Sequence, residues 1–196
     1  MLPEFDTIQS NALEYGGRFS SDGSSIYFVS DRSGYFELWE FRGAEGRLTQ
    51  ASNIEAASMS HFTVSQDGLF AAISYWKDGW HLGVLSLDEG KLLVDREVSG
   101  PKFPLAWSVD GRSVFISEHN VQINIYRYDS KTLSPTLIQK HAGLFASEAY
   151  DGTVLRFMDY QREAIVERNL KSGEVSVLTD DIPVTDFLQP GNVRVD

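Results

Sequence analysis

A chain of 196 residues, 42% of them hydrophobic and 12% aromatic, carries enough apolar material for a sizeable core, which excludes disorder as its main description. Its 17 basic and 28 acidic residues leave a net charge of −11, the opposite of the clustered Lys and Arg that a nucleic-acid surface needs. The absence of cysteine excludes disulfide and thiol chemistry, and no apolar run has the length of a membrane span or the pattern of a signal peptide.

In chain order, residues 5–9 read as the last strand of a preceding unit. Asp22-Gly23 then stands between Phe19 and the alternating pair Ile26 and Phe28. The arrangement returns at Asp67-Gly68, Asp110-Gly111 and Asp151-Gly152, with 45, 43 and 41 residues between successive glycines. Four residues before each glycine stand Phe19, Val64, Trp107 and Glu148. Three after it stand Ile26, Ala71, Val114 and Leu155, and five after it Phe28, Ile73, Ile116 and Phe157. Side chains two apart in a strand share a face, so each Asp-Gly turn is followed by a strand with one buried face. The turn itself is expected to place both Asp and Gly at positive φ.

Eleven residues after each repeat glycine come Gly34, Gly79, Gln122 and Glu163, the first two being clear turn signals. Strands rich in aromatic and branched residues follow at 35–41, 80–87, 123–128 and 164–170. After a further turn, each repeat closes on a strand containing Leu48, Leu92, Leu137 or Leu178. Four strands per period of this length specify the blade of a β-propeller, so the fold class is all-β. The repeats fall at about 15–50, 57–98, 104–141 and 144–179 within one domain, 1–196. A partial repeat at 184–196 begins with Phe187 and a glycine, Gly191, 39 residues after Gly152. An array that does not close exposes strand edges and an apolar face, so a segment of a larger ring, prone to self-association, is expected.

Residues 19–34, Phe-Ser-Ser-Asp-Gly-Ser-Ser-Ile-Tyr-Phe-Val-Ser-Asp-Arg-Ser-Gly, followed by Glu37-Leu38-Trp39 and Arg47-Leu48-Thr49, closely resemble the WD-like propeller repeat of the bacterial TolB type. The resemblance covers most of the chain as four repeats, of which the fourth, with Ser147-Glu148-Ala149 in place of the usual aromatic-Ser, diverges most. The family has a proline before Asp-Gly where this chain has Ser21, Gln66, Val109 and Tyr150. Such repeats occur in TolB, in the propellers of prolyl-oligopeptidase-type peptidases, and in the outer domains of CadC-like membrane-spanning transcription regulators. The resemblance implies a non-enzymatic binding or sensing module, the periplasmic sensor part of a CadC-like regulator. It leaves open a peptidase propeller, a TolB-like periplasmic scaffold and a metal-dependent propeller enzyme.

The residues assign no catalytic group, metal or cofactor. There is no Gly-x-Ser-x-Gly elbow, no phosphate-binding glycine loop and no His-Glu-x-x-His. The four histidines, His61, His81, His119 and His141, occupy different repeat positions, as four unrelated side chains would. The stretch Trp76-Lys77-Asp78-Gly79-Trp80-His81 places two tryptophans about a tight turn on the side of the blade opposite Asp-Gly. Tyr and Trp recur at binding hot spots, although propeller aromatics also pack between blades. Asp31 and Arg32 in the equivalent turn of the first repeat are expected to form a local ion pair that shapes the loop. Asp31, Arg32, Trp76, Lys77, Trp80, His81 and His119 are thus the candidate binding residues. The partner is a protein or small ligand of unspecified identity, with no direct nucleic-acid contact and no membrane insertion by this segment.

Overall fold

Each Asp-Gly pair closes the first hairpin of a four-stranded antiparallel sheet. The computed structural model describes residues 12–119 and 122–179. Blade 1 comprises β1 (Glu14–Phe19), β2 (Ser25–Ser30), β3 (Glu37–Arg42) and β4 (Arg47–Gln50). Blade 2 comprises β5 (Ser58–Val64), β6 (Phe70–Trp76), β7 (Trp80–Ser86) and β8 (Lys91–Val98). Blade 3 holds β9 (Lys102–Trp107), β10 (Ser113–His119), β11 (Ile123–Asp129) and β12 (Pro135–Lys140). Blade 4 holds β13 (Ala142–Glu148), β14 (Val154–Asp159), β15 (Ala164–Asn169) and β16 (Val175–Thr179). Every sheet is a meander in which sequence neighbours pair.

The repeat turns depart from the expected geometry in one respect. Gly23, Gly68, Gly111 and Gly152 take φ of 71°, 71°, 67° and 70°, but the preceding aspartates are not in the left-handed region. Each glycine N–H donates to the carbonyl three residues back, at 2.8–3.0 Å, so the turn is of type I ending in a left-handed glycine. The aspartate acts through its carboxylate instead. Asp22, Asp67, Asp110 and Asp151 accept the N–H of Ser24, Leu69, Arg112 and Thr153, each at 3.0 Å. Type I turns accept most residues at their second position, which is why the missing prolines do no harm.

The Ser20 hydroxyl, then the Ser24 N–H and hydroxyl, hold the Asp22 carboxyl down at about 2. Asp110 and Asp151 are lowered by equivalent bonds, from Ser108 and from Thr153 respectively. A carboxyl depressed by folding contributes its full share above the ordinary carboxylate range and loses it as pH falls through the folded value. An NMR titration of side-chain carboxyl carbons is therefore expected to place the Asp22 midpoint at about 2. Ser20→Ala should move it upward, and an unmoved midpoint would count against the turn mechanism.

Three apolar layers join the sheets. Tyr27, Val29 and Leu38 of blade 1 meet Met59, Phe62, Ile73 and Leu85 of blade 2. Ala72, Leu82 and Val84 of blade 2 meet Trp107, Val114, Ile116 and Tyr128 of blade 3. Phe115 and Ile125 of blade 3 meet Leu155, Phe157 and Val166 of blade 4. The first strands touch in succession, β1 to β5, β5 to β9 and β9 to β13, and so form the inner wall of the array. Across that wall the Trp107 indole N–H donates to the Thr63 carbonyl at 3.0 Å.

The repeat explains which face meets which. The residues three and five after the glycine pack against the preceding blade, and Ala71, Ile73, Val114, Ile116, Leu155 and Phe157 are all 0% exposed. Their blade 1 counterparts, Ile26 and Phe28, have no sheet against them among the described residues. With Phe41 and Leu48 they line an open depression of about 630 Å³. Phe19 is 72% exposed, whereas its repeat counterpart Trp107 is 7% exposed. Trp39, opposite Phe28 in the β2–β3 register, has a buried indole N–H with no acceptor among the described residues. The strand expected at 5–9 and the partial repeat expected at 184–196 lie outside the described residues.

Candidate recognition surface

The β6–β7 hairpin is held rigid by full pairing from Phe70↔Ser86 to Trp76↔Trp80. At its tip the Lys77 N–H donates to the Gly79 carbonyl at 2.9 Å, and the left-handed residue is Asp78, φ 59°, rather than the glycine. Trp76 and Trp80 face each other across the strands, ring centroids 5.6 Å apart and edge-on at 80°. Trp76 is 41% exposed, and neither tryptophan belongs to the interblade layers. An exposed indole buttressed by a second one is a large contact area that loses little side-chain freedom on binding.

Beside the tip, a depression of about 580 Å³ separates blade 2 from the connector arriving from blade 1. Its rim includes Lys77, His81, Asp95 and Asn53, over a floor of Ile54 and Leu92. The Lys77 ammonium donates to the Ile54 carbonyl at 2.9 Å and lies 3.5 Å from the Glu55 carboxylate. His81 Nδ1 is 3.1 Å from both Asp95 oxygens, and its ring lies near-parallel to Tyr75 at 5.2 Å. Burial, followed by the Asp95 charge, pushes the Tyr75 phenol above its ordinary range, so it stays a neutral group under the imidazole. The rim thus offers both charge signs and an imidazole beside an aromatic platform.

Trp76, Lys77, Trp80 and His81 are therefore brought together, while the other three sequence candidates lie elsewhere. Arg32 does not pair with Asp31. Its guanidinium bonds Ser30 Oγ at 3.1 Å, pairs with Glu14, and lies over the rings of Phe28 and Trp39 at 5.5 and 5.0 Å. Asp31 accepts the Leu13 N–H at 2.8 Å. The long arginine stem follows the apolar face of β2 and β3, which carries its charge to β1, while the short Asp31 side chain serves the backbone entering that strand. His119 sits on the inner wall, its Nε2 2.9 Å from Ser117 Oγ and its ring stacked on Phe103 at 4.1 Å. His61 meets the same phenylalanine edge-on at 4.6 Å. Among the described residues, no three His, Cys, Asp or Glu side chains converge as a metal set.

Asp95 escaped the sequence reading because an acid on an outer strand carries no local signal that a histidine on the neighbouring strand faces it. Arg18 escaped it, and His61 and His119 were read as unrelated, because the inner wall joins residues whole repeats apart.

The class of protein these features define is a β-propeller of four-stranded antiparallel blades. No family model matches the chain, and no curated protein matches it in sequence. Solved structures do match. TolB of Acinetobacter baumannii superposes with a TM-score of 0.62 at 14% identity, over 87% of this chain and 44% of that one. A TolB of Agrobacterium tumefaciens gives 0.69 at 18% identity, over 87% and 63%. A prolyl endopeptidase gives 0.61 at 14% identity, over 87% and 30%. The chain spans less than two thirds of each of these proteins. At such identities the likeness is one of fold: the chain has a TolB-like propeller fold.

Proposed function

We propose that this chain is a recognition module without catalysis of its own, and that it contacts a protein partner through the Trp76–Trp80 hairpin tip and the adjoining rim. In this reading it is the extracytoplasmic sensor part of a CadC-like membrane-spanning regulator, working in the periplasm. The open apolar face of blade 1 then receives a further blade of the same ring. The observation that carries the reading is Trp76, 41% exposed and braced edge-on by Trp80 at the end of a fully paired hairpin. The fold shared with TolB supports it. A peptidase propeller is the second reading, favoured by the match to a prolyl endopeptidase.

The test is selection of peptide ligands on the purified chain, followed by affinity measurement on Trp76→Ala and Trp80→Ala. Each substitution is expected to weaken the selected ligands by more than about tenfold, as hot-spot truncations of about 2 kcal/mol do, with the melting temperature unchanged. Ligands that bind both variants as tightly as the parent would overturn the assignment of the surface. Peptide or ester turnover that copurifies with the chain would overturn its non-enzymatic character.

A further inference from the structure

The inner wall carries a second pocket, distinct from the hairpin tip. It measures about 380 Å³ and draws residues from all four blades: Arg18 of β1, His61 of β5, Phe103 of β9, His119 at the end of β10, and Gly143 and Ala146 of β13. In a chain of net charge −11, no carboxylate among the described residues lines it. Among the described residues its ionisable groups are Arg18, His61 and His119, and the stretches of β9 and β13 that line it contribute none. The nearby charges on these strands are engaged with each other or with backbone: Lys102 with Glu118 at 2.7 Å, and Glu148 with the Val109 N–H. Arg18 donates to its neighbour's carbonyl, Gly17 O, at 3.1 Å, and among the described residues it forms no ion pair.

The pocket depends on a close backbone approach. Gly143 has φ 140°, and a Cβ there would stand 2.5 Å from Ser117 Oγ and 3.2 Å from Ile123 Cγ2. Only glycine lets β13 close against the residues that hold His119. The two imidazoles clasp Phe103, one edge-on and one stacked, which fixes their planes while leaving each ring open to solvent on another side.

We propose that this pocket binds a small organic carboxylate with an aromatic or branched apolar body. Arg18 supplies the permanent charge, His61 and His119 supply N–H donors, and Leu105 and Ala146 supply the apolar wall. Without an anion the cluster is mutually repulsive: desolvation, then the charges of Arg18 and His119, hold the His61 imidazolium below its usual range, and desolvation lowers His119. A bound carboxylate reverses that balance. It raises both imidazole values and takes up protons, so affinity increases as pH falls through the histidine range. The position on the inner wall separates this ligand from the partner assigned to the hairpin tip.

Benzoate is the probe, with benzamide as its neutral counterpart of the same shape. Calorimetry and the imidazole proton shifts of His61 and His119 would be followed at about pH 7.5 and about pH 5.5, on either side of the usual histidine value. Benzoate is expected to shift both imidazoles and to bind about tenfold tighter at the lower pH, with benzamide silent, because each proton taken up couples to affinity. Arg18→Gln, at an exposed position, is expected to fold as the parent does and to lose about tenfold or more in affinity at both pH values. Absence of imidazole shifts at either pH, equal shifts with benzamide, or unaltered benzoate affinity in Arg18→Gln would each overturn the proposal. Loss of peptide binding in Trp76→Ala with benzoate binding intact separates this site from the hairpin tip.

Discussion

Glu118→Ala is expected to lower the stability of the fold by about 3–5 kcal/mol, the range found when one partner of a buried ion pair is removed. The Lys102 ammonium lies 2.7 Å from Glu118, and their side chains are only 7% and 11% exposed. The Tyr128 hydroxyl donates to the other carboxylate oxygen. Burial first, then that bond, pushes the Tyr128 phenol far above its ordinary range, so it remains a donor at every working pH. The Lys102 N–H also donates to Ser74 Oγ at 3.1 Å, which ties this network to blade 2. Truncating Glu118 strands an ammonium and a phenol in an apolar setting. Urea denaturation should show the loss as a lower midpoint with little change of slope. The triple variant Lys102→Met, Glu118→Leu, Tyr128→Phe should recover most of it, because a buried polar network replaced by apolar groups of similar volume is often neutral. A midpoint unchanged in Glu118→Ala would show that the pair contributes nothing net.

Glu37→Ala should cost about 2–4 kcal/mol through a different route, the loss of several hydrogen bonds to one buried charge. The Glu37 residue is 1% exposed. Its two oxygens accept the Ile54 N–H at 2.9 and 3.1 Å, one accepts the Glu55 N–H at 2.6 Å, and the Ser52 hydroxyl donates to the carboxylate as well. These bonds shape the connector from blade 1 to blade 2 and hold Glu55 at φ 55°, a left-handed conformation that a non-glycine residue rarely adopts. The same connector supplies the carbonyl that receives Lys77 at 2.9 Å. Removing the carboxylate should therefore loosen the rim of the recognition surface as well as the fold. Hydrogen exchange is expected to accelerate at the Ile54 and Glu55 amides before it does so in blade 4, and Glu37→Gln should lose less than Glu37→Ala. Uniform acceleration along the chain would contradict this local role.

The sequence assigns neither group a buried role, although Glu37 belongs to the repeat motif, and the reason is physical. The Glu37 partners lie 15 to 18 residues away in an irregular connector, where no period marks them. Lys102 and Glu118 sit on neighbouring strands, and nothing in a charged residue's local setting distinguishes a buried strand face from an exposed one until the next blade is in place. The Asp31–Arg32 ion pair fails for a related reason: adjacency in sequence matters less than the direction in which each side chain leaves the strand. Arg32 runs along Phe28 and Trp39 to Glu14, and Asp31 turns to Leu13.

What the sequence determined by itself is the blade. The Asp-Gly spacing, the apolar pairs three and five residues on, and the aromatic strands after the second turn are local features. Strand pleating and hairpin turns convert such features directly into a four-stranded meander. The repeat also determined which face of each sheet is apolar, the face that carries Ile26 and Phe28 in blade 1. Only the tertiary structure decided what the blades do to one another. Stacking placed Arg18, His61, Phe103 and His119 around one pocket although they belong to three different repeats. Strand pairing within blade 2 set His81 against Asp95, and stacking against the next blade buried the Lys102–Glu118 pair. Contacts of that kind depend on how twisted sheets pack face to face, a property of the assembled layers that no single strand encodes.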